Sequence, residues 1–163
     1  MKDAERQLAL LGKHGVECVI VGGVAATLHG SSIVTRDLDV CYNRKHENLR
    51  RLVSALLSVN ARLRGAPEGL PFILDEETLR RGLNFTFTTD IGDIDLLGEL
   101  RGVGNYAEAS EDADVMELFG FQYKVLALPN LIASKRAAGR PKDLIVIPEL
   151  EAILEYQRAP DQN

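Results

Sequence analysis

The sequence predicts an α/β protein, of the α+β kind, in which a mixed β-sheet is flanked by helices. Apolar residues recur at helical spacing in several segments, β-branched runs of strand length stand between them, and glycine, proline and polar residues separate the two. The chain has 163 residues, 45% of them hydrophobic and 26% charged, as in ordinary globular proteins. We expect one domain covering residues 1–163.

No membrane association is expected. No apolar run approaches the roughly 20 residues that a helix needs to cross a bilayer, and acids and bases occupy the start of the chain, where a signal peptide has its apolar core. We therefore expect a cytoplasmic protein. Cys18 and Cys41 lie in apolar, strand-like runs, so we expect buried, reduced thiols rather than a disulfide or a zinc site.

The formal net charge is −5, so the chain lacks the overall basic field that drives non-specific binding to nucleic acid. Local patches would have to hold any RNA partner. A group of basic residues offers such a rim, although ordinary solvated faces explain it as well. Apart from the cations near residue 140, this group comprises Arg44, Lys45, Arg50, Arg51, Arg62 and Arg64.

Helices and strands alternate along the N-terminal half. Leu8 and Leu11 stand at helical spacing, and the run from Glu17 to Val21 has the β-branched composition of a strand. Helical spacing returns between residues 45 and 59. The predicted elements are helix 3–13, strand 17–21, helix 24–29, strand 36–42 and helix 45–59.

The C-terminal half predicts two hairpins and several short helices. Pro129 suits the first turn of a helix, and Gly139 ends it. The predicted elements are helix 75–81, strands 83–89 and 93–97, a short helix near Tyr106, strands 115–119 and 121–126, helix 129–138 and a last helix from Pro148 to Tyr156.

Two acids stand two residues apart in the strand predicted at 36–42. Alternation places Asp37 and Asp39, with Cys41, on one face and the apolar Leu38 and Val40 on the other. The Cβ atoms of the two acids then lie about 6 to 7 Å apart, so that both can grip the same metal ions. Oxygen ligands of this kind suit Mg²⁺, which is usually shared with substrate phosphates. A solvated strand edge would explain the pair without a metal.

Two glycines precede this pair. Gly22 and Gly23 stand between a predicted strand and a predicted helix, where glycine lets backbone amides approach a phosphate and the helix start favours anions. A tight turn from strand to helix would explain them without a ligand.

In order and spacing, residues 21–40 (VGGVAATLHGSSIVTRDLDV) resemble the DNA polymerase β-like nucleotidyltransferase superfamily, whose pattern is Gly-Gly or Gly-Ser, a short helix and then Asp-x-Asp. More narrowly, the chain resembles minimal bacterial members related to the AbiEii-type toxin nucleotidyltransferases. Residues 92–97 (GDIDLL) and 135–144 (KRAAGRPKDL) contribute to that resemblance. It covers about residues 17–157 and implies the nucleotidyltransferase fold.

The resemblance implies a third acid on a neighbouring strand, which holds the acceptor-side metal and helps to deprotonate the attacking hydroxyl. Asp93 and Asp95 are both candidates. We favour Asp95, which directly precedes the apolar pair as in the resembling sequences, whereas Asp93 stands beside the turn. The implied catalytic and metal-binding set is Asp37, Asp39 and Asp95, with two Mg²⁺ ions, or Mn²⁺ in their place.

Four cations lie near the end of the helix predicted at 129–138, namely Lys135, Arg136, Arg140 and Lys142. In related enzymes a lysine of such a helix contacts the triphosphate, so the resemblance implies this role for Lys135. A favourable interaction of cations with the helix C-terminus explains the cluster equally well. The implied nucleotide-binding set is Gly22, Gly23, Lys135 and Arg136.

The implied activity is transfer of a nucleoside monophosphate from a nucleoside triphosphate to a hydroxyl of an RNA end, a protein or a small molecule. The resemblance further implies a toxin–antitoxin component with a cognate partner protein. The alternative is a catalytically silent nucleotide- or partner-binding regulatory module, which leaves the clustered, mutually repelling carboxylates unexplained. A D-x-D glycosyltransferase or an aspartate-nucleophile phosphatase would leave Gly22 and Gly23 unexplained.

Overall fold

The computed structural model describes residues 2–159. Its largest feature is a seven-stranded mixed sheet with a separate two-stranded ribbon. Within residues 2–159 the strands are β1 (Cys18–Val21), β2 (Leu38–Tyr42), β3 (Arg62–Leu63), β4 (Asn84–Thr89), β5 (Gly92–Leu97), β6 (Glu99–Leu100), β7 (Gly104–Asn105), β8 (Asp114–Leu118) and β9 (Phe121–Val125).

The strand β2 lies at the centre of the sheet, whose order is β3-β4-β5-β2-β1-β9-β8. It runs antiparallel to β1 and parallel to β5. In this register Asp39 stands opposite Val21 on one side and Asp95 on the other. The strand β4 then places Thr86 opposite Asp95. One row of the sheet therefore leads from the end of β1 to two of the predicted acids.

Helices cover this sheet. In the described part of the chain they are α1 (Lys2–Lys13), α2 (Gly22–Leu28), α3 (His46–Ser58), α4 (Glu76–Arg81), α5 (Tyr106–Glu111), α6 (Leu128–Ala138), α7 (Pro141–Leu144) and α8 (Ile147–Arg158). None of the helices within residues 2–159 has the length and apolar character needed to cross a membrane.

The helix α2 follows β1 with no intervening loop. The prediction that it begins at Val24 is wrong by two residues, because both glycines belong to its first turn. Gly22 has a φ of +62°, a left-handed conformation that glycine adopts without steric cost. This one residue turns the chain from strand to helix.

Both faces of β2 are buried. Leu38 and Val40 are fully inaccessible to solvent, as the alternation predicts, but Cys41 on the acid-bearing face is equally inaccessible. The helices α2 and α5 both pack against this strand. Cys18 is also buried, and the structure records both thiols as free.

The hydrophobic core forms one cluster that runs from Ala4 in α1 to Leu150 in α8. The boundaries of the predicted single domain, 1–163, stay a prediction, because residues 1 and 160–163 lie outside the described part of the chain. The sequence missed the two-residue strands β3, β6 and β7 and the single-turn helix α7, since segments so short carry no detectable hydrophobic period.

Candidate active site

The structure brings the three predicted acids together. Asp39 and Asp95 are direct neighbours across the parallel pair of β2 and β5, and Asp37 stands one residue before β2. Burial, followed by the negative charges of Asp95 and Asp37, raises the pKa of Asp39 well above its usual range. This half-buried carboxyl is therefore short of positive charge.

Gly22 lies directly against the carboxylate of Asp39. A Cβ atom built on Gly22 would be 2.1 Å from Asp39 Oδ2, and one built on Gly23 would be 2.7 Å from the Thr35 side chain. No side chain fits between Gly22 and the Asp39 carboxylate, and none fits between Gly23 and Thr35. Close approach, in addition to backbone conformation, thus accounts for the two glycines.

A buried ion-pair network lies on another side of Asp39. The ammonium of Lys135 is 3.8 Å from Asp143 Oδ1, and its charge acts on Asp39. Arg140 donates from Nε to Asp143 Oδ2 at 2.6 Å. Lys135 and Asp143 are only 7% and 4% exposed, so neither charge is well solvated.

Burial by itself raises the pKa of Asp143, but the hydrogen bond from Arg140 and the charges of Arg140, Lys135 and Lys142 outweigh it. The net effect lowers the pKa of Asp143 below its ordinary value. Asp143, to which the sequence assigned no role at this site, therefore holds two of the four cations of this segment, Lys135 and Arg140, in place.

Arg136 is not brought to this site. Its guanidinium donates to the Glu151 carboxylate of α8 at the surface. Successive residues of an α-helix point about 100° apart, so Arg136 leaves the helix in a different direction from Lys135. A nucleotide-binding role for Arg136 stays a prediction.

A cavity of about 840 Å³ connects these parts, within the size range of small-ligand sites. Two apolar side chains stand at its edge, Val34 and Ile145, with exposed fractions of 90% and 80%. Its wall includes the glycines, two of the acids and three of the cations described above, namely Gly22, Gly23, Asp37, Asp39, Lys135, Arg140 and Lys142.

The loop between α2 and β2, which carries Val34, is anchored to α8. The Glu149 carboxylate accepts from Ser31 Oγ at 2.9 Å and from the Ser32 backbone amide at 2.7 Å. His29, at the end of α2, donates from its ring to the Leu126 carbonyl at 2.8 Å. The bond to Leu126 gives His29 a structural role.

The sequence named Arg64 only among the basic residues of a possible RNA-binding rim, whereas the structure places it against the acids. Its Nη2 lies 2.6 Å from Asp95 Oδ1, its Nε 3.2 Å from Asp93 Oδ2 and its Nη1 3.7 Å from Asp37 Oδ2. Burial by itself lowers the pKa of Arg64, but the hydrogen bond to Asp95 and the charges of the three acids outweigh it. The net effect raises the pKa of Arg64 above its ordinary value. The sequence held no signal for this contact, because it depends on pairing between β3 and β4.

The donor set has the right chemistry for a hard divalent cation. Asp37, Asp39 and Asp95 offer carboxylate oxygens alone, and the half-buried Asp39 lies among like charges that a cation would offset. Among residues 2–159, no three His, Cys, Asp or Glu side chains already form a metal-ready group. The guanidinium of Arg64 lies among the carboxylates instead.

We predict that Gly22→Ala lowers the free energy of unfolding by about 2 to 4 kcal/mol, through left-handed backbone strain and overlap with the Asp39 carboxylate. Urea denaturation measures this change. Gly65→Ala is the matched control, because Gly65 has a similar φ of +74° but no described atom within 4 Å of its Cβ position.

The control should lose only about 1 kcal/mol. Adding Asp39→Ala to Gly22→Ala removes the overlapping Cγ and Oδ2 atoms and should restore part of the stability. Equal losses for Gly22→Ala and Gly65→Ala would contradict the close approach.

We predict that Asp143→Asn lowers the free energy of unfolding at pH 7 by about 2 to 3 kcal/mol, because it removes a charge-assisted bond and leaves Lys135 uncompensated. The pKa of Asp143 is depressed in the folded state, so its stabilisation is present above the unfolded pKa of about 3.9 and is lost as pH falls through the lower folded value.

Urea denaturation from pH 7 downwards tests this. The gap between wild type and variant should narrow below about pH 4. The exposed Asp112, changed to Asn, is the control and should show little gap at any pH. A gap that persists unchanged into acid would argue against the ionised Asp143.

The chain was compared with known proteins. No protein-family model matches it, and no curated protein matches it. Solved structures do match. One is the antibiotic-resistance factor ANT(2'')-Ia, with a TM-score of 0.54 and 14% identity over 96% of this chain and 89% of that one.

Another is TM1012 of Thermotoga maritima, named provisionally as a nucleotidyltransferase, with a TM-score of 0.51 and 13% identity over 94% of this chain and 89% of that one. At such identities the likeness shows the fold alone. It confirms the predicted fold class: the chain has the nucleotidyltransferase fold, a mixed β-sheet flanked by helices.

Proposed function

We propose that this protein is a metal-dependent nucleotidyltransferase that moves a nucleoside monophosphate from a nucleoside triphosphate to a hydroxyl acceptor. One observation carries the proposal: a single cavity is lined by Gly22, Asp37, Asp39 and Lys135, with Asp95 in register beside Asp39. Paired acids, closely approaching glycines and a buried cation are the groups that the reaction needs.

In this proposal the cations on one side of Asp39 bind the triphosphate. Lys135 and Arg140 are spaced by their shared partner Asp143, so their charges are positioned before the ligand arrives. Such preorganisation lowers the cost of orienting the β- and γ-phosphates. The exposed apolar side chains Val34 and Ile145 suit the faces of a nucleobase at the cavity edge.

Mg²⁺, or Mn²⁺ in its place, would be held by Asp37, Asp39 and Asp95, and when bound it stabilises charge on the attacking and leaving oxygens. The acceptor oxygen forms a bond to the α-phosphorus while the bond from that phosphorus to the bridging oxygen breaks. Pyrophosphate leaves, and the hydroxyl proton passes to the Asp95 carboxylate.

The acceptor is an RNA end, a protein hydroxyl or a small molecule. ANT(2'')-Ia is an antibiotic-resistance factor, whereas the AbiEii-like motifs indicate a toxin with a cognate partner protein. The rival function is a silent regulatory module that binds nucleotide without turnover. Burying Asp39 beside Asp95 and Asp37 raises its pKa, an unfavourable arrangement for which a silent module has no use.

We predict that the purified protein, with Mg²⁺, transfers label from an α-labelled nucleoside triphosphate into one fraction of a bacterial lysate. Asp39→Asn should reduce this transfer at least about 100-fold, because it weakens the charge that holds the cation. Asp112→Asn, on the exposed surface, should transfer as wild type does.

The labelled fraction, whether RNA, protein or small molecule, identifies the acceptor class. Triphosphate that binds without any transfer would favour the silent module. No binding and no transfer would remove the proposed function.

We also predict that overproduction of the protein slows bacterial growth and that Asp39→Asn relieves this effect, since toxicity by an AbiEii-like enzyme requires turnover. Growth curves of strains that express wild type, Asp39→Asn and Asp112→Asn at matched levels provide the measurement. Equal growth of all three strains would leave the transferase proposal standing but contradict the toxin role.

A further inference from the structure

Arg64 forms ion pairs with three acids of the cluster, and its Nη2 atom also donates a hydrogen bond to one of them. The shortest contact joins Nη2 to Asp95 Oδ1 at 2.6 Å, and the same nitrogen donates to the Phe87 carbonyl at 3.1 Å. The Nε atom is 3.2 Å from Asp93 Oδ2. The side chain is 30% exposed, so this guanidinium is seated between the strands rather than extended into solvent.

Sheet register explains why Arg64 reaches this place. The amide of Arg64 donates to the Thr86 carbonyl at 2.9 Å, which extends the pairing of β3 with β4 by one residue. Thr86 stands opposite Asp95, and Asp95 stands opposite Asp39. Side chains opposite one another in a sheet share a face, so one row aligns the guanidinium with both acids.

The cations around the cluster are unevenly distributed. Lys135, which is paired with Asp143, acts on Asp39 from one side of the cluster. Arg64 occupies the other side, which Asp93 and Asp95 form. A divalent ion that shared the Asp95 carboxylate with Arg64 would face a fixed positive charge within a few ångströms. Like charges at that separation repel strongly in a partly buried site.

We propose that Arg64 is a built-in counter-ion for the acceptor side of the carboxylate cluster. A first divalent ion binds at Asp37 and Asp39, and a second ion at Asp95 has to displace the guanidinium. Arg64 thereby keeps the acceptor side closed to metal until something draws it away. An acceptor that carries a negative charge, such as a phosphate of an RNA end, would bind Arg64 and release Asp95.

The inference rests on the proposed function, because it assumes that the acids hold divalent ions. Its test is Mn²⁺ binding to the protein alone, followed by electron paramagnetic resonance, which needs neither a nucleotide nor an acceptor. The variant is Arg64→Met, which keeps a side chain of similar length but removes the charge and the donors. Arg62→Met is the matched control, because Arg62 lies in the same strand, is exposed, and makes no ion pair within residues 2–159.

Wild type should bind one Mn²⁺ per chain with a second at least about 10-fold weaker. Arg64→Met should tighten the second site at least about 10-fold and show spin coupling between two neighbouring ions. Arg62→Met should behave as wild type. The double variant Arg64→Met with Asp95→Asn should return to one ion, which assigns the second site to Asp95.

Two equally tight ions in wild type, or a second site unchanged in Arg64→Met, would overturn the role of Arg64 while leaving the transferase proposal intact. If neither wild type nor Arg64→Met bound Mn²⁺, and Asp39→Asn were indistinguishable from wild type, the metal site itself would be overturned. Circular dichroism of each variant confirms that the fold is retained.

Discussion

The parallel pairing of β2 with β5 is the constraint on which the rest of the site depends. It places Asp39 beside Asp95, although 56 positions of sequence separate them. Burial and, after it, the negative charge of Asp95 raise the pKa of Asp39, so holding the two acids this close has a free-energy cost. The neighbouring cations offset the repulsion between these acids, and Gly22 leaves room for the Asp39 carboxylate.

Three kinds of neighbour surround Asp39. Gly22 has no side chain, so its backbone can lie directly against the Asp39 carboxylate. Lys135 contributes charge from one side and is itself held by Asp143, so a buried cation and a buried anion offset each other. Arg64 contributes charge from the far side through Asp95. The acid pair is thus poised between two cationic groups that sit on different elements.

The cations that face the cavity and the cation that pairs with Asp95 lie on different parts of the fold. The network of Lys135, Arg140 and Asp143 is linked by contacts within α6 and α7, and it faces the large cavity. Arg64 lies just after a two-residue edge strand, β3, which has few backbone bonds to hold it. A short edge strand moves at lower cost than a central one, which fits a cation that leaves its acid when a competing ligand arrives.

The sequence by itself predicted the main elements and supplied the candidate acids. Its hydrophobic periods predicted the long helices and the hairpins to within a few residues, and the order of Gly22, Gly23, Asp37 and Asp39 carried the resemblance whose implied fold the structure confirms. These are local patterns, in which each residue is informative about its near neighbours. They also placed Lys135 in the correct helix.

Only the tertiary structure decided which charges meet. The contact of Arg64 with Asp95 depends on the β3–β4 register, and the ion pair of Lys135 with Asp143 depends on the packing of α7 against α6. The ion pair of Arg136 with Glu151 depends on where α8 packs. Such contacts join residues far apart in the chain, or choose between adjacent ones, and periodicity cannot report either. The sequence determined the groups available for chemistry, and the packing decided which of them share a site.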